Sequence, residues 1–162
     1  MEVPAGNPLI ENVEMKYEDI DIMHRNLQEG SFTGFIKLSG STGDGYIFML
    51  HGGMVYALEY VNDSYNATPE WRLKSRAKNE NLKVSTYVLS PSLVTIMSQF
   101  FAYEPVSLTK KKLSTVLKEL EQDGYCGLIQ ITRSDMSSYI LLDQGKPITD
   151  SVMENYGSII CG

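Results

Sequence analysis

Two stretches decide how this chain is read: Leu27-Gln28-Glu29-Gly30-Ser31-Phe32-Thr33-Gly34-Phe35-Ile36-Lys37-Leu38 and Leu120-Glu121-Gln122-Asp123-Gly124-Tyr125-Cys126-Gly127-Leu128-Ile129-Gln130-Ile131. They lie 93 residues apart. With that offset held and no gap, Tyr46-Ile47 meets Tyr139-Ile140, Gly52 meets Gly145, and Val55 meets Ile148. Backward, Ile20, Met23 and Leu27 meet Leu113, Val116 and Leu120. Residues 13–59 against 106–152 give 47 pairs, of which eight are identical. Identity is low. The apolar positions, however, agree at a period of 3.6 before Gly34 and at a period of 2 after it, and two unrelated segments rarely share both at one offset. The reading is therefore an internal repeat.

Each module predicts the same order of elements. A short strand comes first (residues 13–15; 106–108). An amphipathic helix follows, with its stripe at Ile20, Met23, Leu27 or Leu113, Val116, Leu120. Thr109 suits the second helix as N-cap, and Gly30 and Gly124 suit the C-terminal ends. Strands over 32–39 and 125–132, then 46–50 and 139–142, lead into the Gly52 and Gly145 turns, where glycine supplies the positive φ of a tight hairpin. A third strand closes each meander (54–61; 147–153). Gly34 and Gly127 read as structural turn glycines like Gly52 and Gly145. The first module continues with a helix opened by Thr68-Pro69-Glu70, an alternating strand over 82–89, and a helix from Ser90-Pro91 to about residue 103. The second reads as a shortened copy. The boundaries are 1–104 and 105–162, and the fold class is α+β, with meanders carrying helices on one face.

Composition excludes more than it identifies. Of 162 residues, 14 are Lys or Arg and 20 are Asp or Glu, giving a net charge of −6. An acidic chain is a poor partner for nucleic acid. No apolar run approaches the length of a membrane span. Cys126 and Cys161 are the only cysteines and form neither a disulfide framework nor a zinc motif. The sequons at Asn62 and Asn66 read as turn residues. These features point to a cytoplasmic chain without cofactor or metal.

The phrase Gly30-Ser31-Phe32-Thr33-Gly34-Phe35-Ile36-Lys37-Leu38, with Gly45-Tyr46-Ile47-Phe48 and His51-Gly52-Gly53-Met54-Val55-Tyr56-Ala57, resembles the signature of the PatA N-terminal (PATAN-like) domains. It is similar as well to an uncharacterised family of archaeal proteins. The resemblance covers residues 7–103 and, in the second module, the meander alone, where Cys126 replaces Thr33 and Asp150 replaces Ala57. It implies an interaction module within a signalling chain and brings no catalytic or ligand residues.

The residues themselves name no reaction. His51 lies in a glycine turn and its counterpart is Gln144, so it reads as a solvated turn histidine. His24 sits beside the apolar stripe, opposite Leu117 in the repeat, and reads as a packing histidine. The run Gly40-Ser41-Thr42-Gly43-Asp44-Gly45 lacks the Lys of a phosphate loop and precedes a strand, so it is a hairpin loop. Asp135 and Asp143 read as solvated. Charge is uneven: residues 1–31 hold seven acids and two bases, residues 70–86 five bases and two acids. Met54, Tyr56, Leu58 and Tyr60 share strand parity and predict one apolar face, the candidate interaction surface. The expected function is a non-enzymatic interaction or regulatory module, assembling with a protein partner or with itself, for instance as a homodimer. The alternative is a small-ligand sensor with a pocket lined by Tyr and Met.

Overall fold

The structure is a computed structural model and describes residues 6–102, 111–133 and 136–147. The chain divides after Ala102 into two compact units, two residues before the expected boundary.

In the first unit, β1 (Asn7–Met15) leads to α1 (Tyr17–Glu29). A meander follows: β2 (Gly34–Gly40), β3 (Gly43–Leu50) and β4 (Gly53–Val61). Asn62 and Asp63, both with positive φ, turn the chain into a short β5 (Ser64–Ala67) that the sequence had not disclosed. Then come α2 (Glu70–Ser75), a 3-10 turn (Arg76–Lys78), β6 (Leu82–Val88) and α3 (Pro91–Ala102). Pro69, rather than Thr68, occupies the cap position of α2. All pairings are antiparallel, in the order β1-β6-β2-β3-β4-β5. β6 thus inserts between β1 and the meander.

The helices cover both faces of this sheet, not one. Ile20 and Met23 of α1, with Leu73 and Ala77, close over Ile36, Leu38, Ile47 and Met49. Val94 and Met97 of α3 close over Phe35, Phe48 and Leu58 on the opposite face. The central strands β2 and β3 are accordingly buried on both sides. This is why their apolar residues run nearly unbroken instead of alternating.

The second unit contains α4 (Leu113–Gln122), β7 (Gly127–Arg133), β8 (Met136–Asp143) and β9 (Lys146–Pro147), with the three strands in that order. The expected strand over 106–108, the Thr109 cap, most of the last strand, Asp135 and Cys161 lie outside the described residues.

The offset of 93 holds at the level of individual hydrogen bonds. The Gly52 amide donates to the Phe32 carbonyl at 2.8 Å, and the Gly145 amide to the Tyr125 carbonyl at 2.6 Å. The His51 amide donates to Thr33 Oγ1 at 3.0 Å, and the Gln144 amide to Cys126 Sγ at 3.1 Å. Gly34 pairs with Met49, and Gly127 with Leu142. The hairpin residues His51-Gly52 have φ of 50° and 82°; Gln144-Gly145 have 48° and 77°. A Cβ on Gly52 would strike the Gln28 carbonyl, and one on Gly145 the Cα of Glu121, the residue equivalent to Gln28.

The expectation for Gly34 and Gly127 needs correction. Gly34 and Gly127 do not form turns: they open β2 and β7. Gly34 is required because a Cβ there would meet the Tyr87 carbonyl of the adjacent β6. Gly30 is the C-cap of α1, as expected, although it is not left-handed (φ −78°). That conformation falls on Ser31 (φ 54°), in register with Gly124 (φ 61°).

Candidate functional site

The expected surface of Met54, Tyr56, Leu58 and Tyr60 divides. β3 and β4 pair Phe48 with Tyr56 but Met49 with Met54, so β4 carries one extra residue at Val55. Such a bulge rotates the strand and breaks the alternation. Tyr56, Leu58 and Tyr60 turn toward α3 of the same unit. Leu58 is 1% exposed and belongs to the core. The Tyr56 hydroxyl donates to the Phe101 carbonyl at 2.9 Å, and burial pushes its ionisation up. The Tyr60 ring lies 4.6 Å from that of Tyr65, which in turn lies 4.8 Å from Phe101. The bulge leaves Met54 and Val55 outside this cluster and exposed. They border a shallow hollow of about 350 Å³ whose other lining includes Ala67, Pro69 and Glu70.

A second hollow was not foreseen. It is a half-open groove of about 380 Å³ between β1 and α1, lined by Ile10, Met15, Ile22, Met23, Leu27 and two polar residues, Asp19 and Asn26. Ile22 is 54% exposed, and Leu9 and Val13 on β1 are 60% and 44% exposed. The signal in the sequence was Ile22 itself, an apolar residue off the stripe of Ile20, Met23 and Leu27. Asp19, Ile22 and Asn26 succeed one another at helical spacing along this flank of α1. Asp19 is exposed there, and Glu11 of β1 and Glu18 and Glu29 of α1 are exposed as well. Asp19 accepts the Lys16 amide at 3.4 Å, the N-terminal cap of α1. Among the described residues no ion pair reaches any of these four acids.

Lys74 of α2 is used internally. Lys74 Nζ lies 2.8 Å from Glu70, 3.1 Å from Asp21 and 3.4 Å from His24 Nδ1. His24 Nδ1 is also 3.1 Å from Glu70 Oε1. His24 is buried, and its Nε2 has no partner. Burial is the main force holding this imidazole below its ordinary value, against the pull of Glu70. The hydrogen bond from Lys74, and a second from Arg25, hold the Asp21 carboxyl below its ordinary value. Arg76 donates to the Gly43 carbonyl at 2.8 Å, while Glu80 accepts the Ser41 amide at 2.9 Å and hydroxyl at 2.7 Å. The Ser41 bonds lower the Glu80 ionisation. The glycine-rich loop 40–45 is therefore a pinned β2–β3 hairpin.

The remaining candidates stand apart. His51 is an exposed turn residue. Exposed Cys126 has its Sγ 3.5 Å from Asp143 Oδ1. Among the described residues there is no cluster of three or more His, Cys, Asp or Glu able to hold a metal ion, and no helix is long and apolar enough to cross a membrane.

Comparison with known proteins gives one positive result. No curated protein and no solved structure matches the chain. The family described as "Uncharacterized protein conserved in archaea (DUF2226)" matches residues 1–101, which is the span of the first structural unit to within one residue. The chain belongs to this archaeal family.

Proposed function

We propose that the chain is a non-enzymatic interaction or regulatory module acting in the cytoplasm as part of a signalling or assembly system. One observation carries the reading: Ile22, a large apolar side chain 54% exposed, lines a half-open groove together with Ile10, Met15, Met23 and Leu27. Contiguous apolar surface of this kind marks a place where another molecule docks. The buried polar groups, by contrast, tie elements of the scaffold to one another. The resemblance to PATAN-like domains agrees with such a role. We further infer that the two units descend from one repeated module, a reading supported by the shared hydrogen bonds at offset 93.

Size-exclusion chromatography with light scattering, combined with capture by the tagged chain, tests the reading. A dimer or a stoichiometric complex is expected. A strict monomer that captures no partner argues against it. The second reading, a small-ligand sensor, rests on the hollow beside Met54 and Tyr56. It predicts a bound molecule in native mass spectra of freshly purified protein.

A further inference from the structure

We propose that the groove between β1 and α1 receives a cationic amphipathic helix of a partner protein. The proposal rests on the interaction reading above and adds the chemistry of the occupant.

The floor and the rim make different demands. The floor is apolar (Ile10, Met15, Ile22, Leu27), and Ile22 is largely open to water. An occupant must therefore present an apolar stripe. The rim is acidic. Along α1, Glu18 and Asp19 precede Ile22 by four and three residues and Glu29 follows it by seven, so all three flank it at helical spacing; Arg25, three residues after Ile22, is taken up by Asp21 at 2.9 Å. None of the three flanking acids has a cationic partner among the described residues. Bringing a neutral or acidic segment over these carboxylates would strip water from them without compensation. Lys and Arg answer both demands: their stems cover apolar surface such as Ile22 while their heads reach the carboxylates.

Two alternative occupants fit less well. A strand added to β1 needs an unbroken ladder along the edge of the sheet. β1 is an edge strand, but its register shifts between Pro8 and Ile10 and again between Ile10 and Val13. Asn12 has φ of 52°, and its amide turns inward to Ser85 Oγ at 2.9 Å. Bulges of this kind protect an edge from strand addition. That leaves side-chain docking of a helix. A second copy meeting the same surface across a two-fold axis would set acid against acid, in a chain whose net charge is already −6.

The test uses the full chain, isotopically labelled, and three synthetic peptides of about five helical turns. One places Leu on one face and Lys on the other; the second replaces Lys by Glu; the third scrambles the first. Binding is read by fluorescence anisotropy at low and high salt, and its location by amide shifts. The Leu/Lys helix is expected to bind at least tenfold more tightly than the other two, to weaken with salt, and to shift amides of β1 and α1. Ile22→Asn should weaken it about tenfold. The double variant Glu18→Lys/Glu29→Lys changes two exposed residues without partners and should transfer the preference to the Leu/Glu helix. Equal binding of the scrambled peptide, shifts outside β1 and α1, no binding by any peptide, or no transfer of preference would each overturn the proposal. Binding of the Leu/Glu helix in the wild-type groove would remove the cationic partner while leaving the interaction reading intact.

Discussion

His24 illustrates how one residue carries both a cost and a signal. The residue is 3% exposed, one ring nitrogen faces Lys74 and Glu70, and the other has no hydrogen-bond partner. Neutral imidazole has one donor and one acceptor, so whichever tautomer forms, Nε2 is left unsatisfied. An unpaired buried polar atom costs about 1–3 kcal/mol. The repeat offers the remedy, since Leu117 stands at the equivalent position. His24→Leu leaves the Lys74 bonds to Glu70 and Asp21 in place and should stabilise the chain by about 1 kcal/mol. The same substitution should flatten a pH dependence. With its folded value held below 6.5, His24 takes up its proton more readily in the unfolded chain. This contribution to stability is complete above 6.5 and is lost as pH falls below it. Urea denaturation at neutral and mildly acidic pH should show a loss in the wild type that shrinks in the variant. The packing role of His24 was legible from its leucine counterpart. Its partners Glu70 and Lys74 were not, because they lie about fifty residues away and no local pattern links helices so far apart in sequence.

At the scale of elements, the hairpin His51-Gly52 and the strand β4 behave oppositely toward sequence reading. The turn was legible because positive φ selects glycine. Gly52→Ala adds a strained φ and a Cβ against the Gln28 carbonyl. It should cost about 2 kcal/mol or more, read as a fall in the urea midpoint. Gly53→Ala, whose Cβ would meet only the Leu50 carbonyl at 3.5 Å, is the control and should cost far less. The face of β4 was misread because parity assumes an unbroken pleat, and the extra residue at Val55 leaves no mark in composition. Tyr56→Phe tests the consequence: it removes the bond to the Phe101 carbonyl and should destabilise by about 1 kcal/mol. An exposed interaction tyrosine would give no such loss. The length of β1 was hidden too, since Pro8, Glu11 and Asn12 argue against a strand and are tolerated only because β1 is an edge.

For the whole molecule, the sequence disclosed two units and their register, because hydrophobic periodicity and turn chemistry are local properties. It could not show that β6 enters the sheet between β1 and β2, a long-range choice driven by burying Leu82 and Val84 under α1 and α2. Nor did it show the groove, which exists only where β1 and α1 meet. Both cores of the first unit are built from residues 6–102 alone. A fragment of residues 1–102 should therefore fold cooperatively, with a dispersed amide spectrum that overlays the corresponding signals of the full chain. A collapsed spectrum would contradict this. The matched hydrogen bonds of the two hairpins also bear on folding fidelity. Because each hairpin offers the same backbone register, either could close against the other's helix end while keeping every equivalent bond. The positions held by Phe35 and Phe48 in the first unit are held by Leu128 and Leu141 in the second. Exchange would put the smaller side chains where α3 closes over phenylalanines and leave a void there. Side-chain volume, not backbone pairing, keeps the two halves of the chain from trading parts.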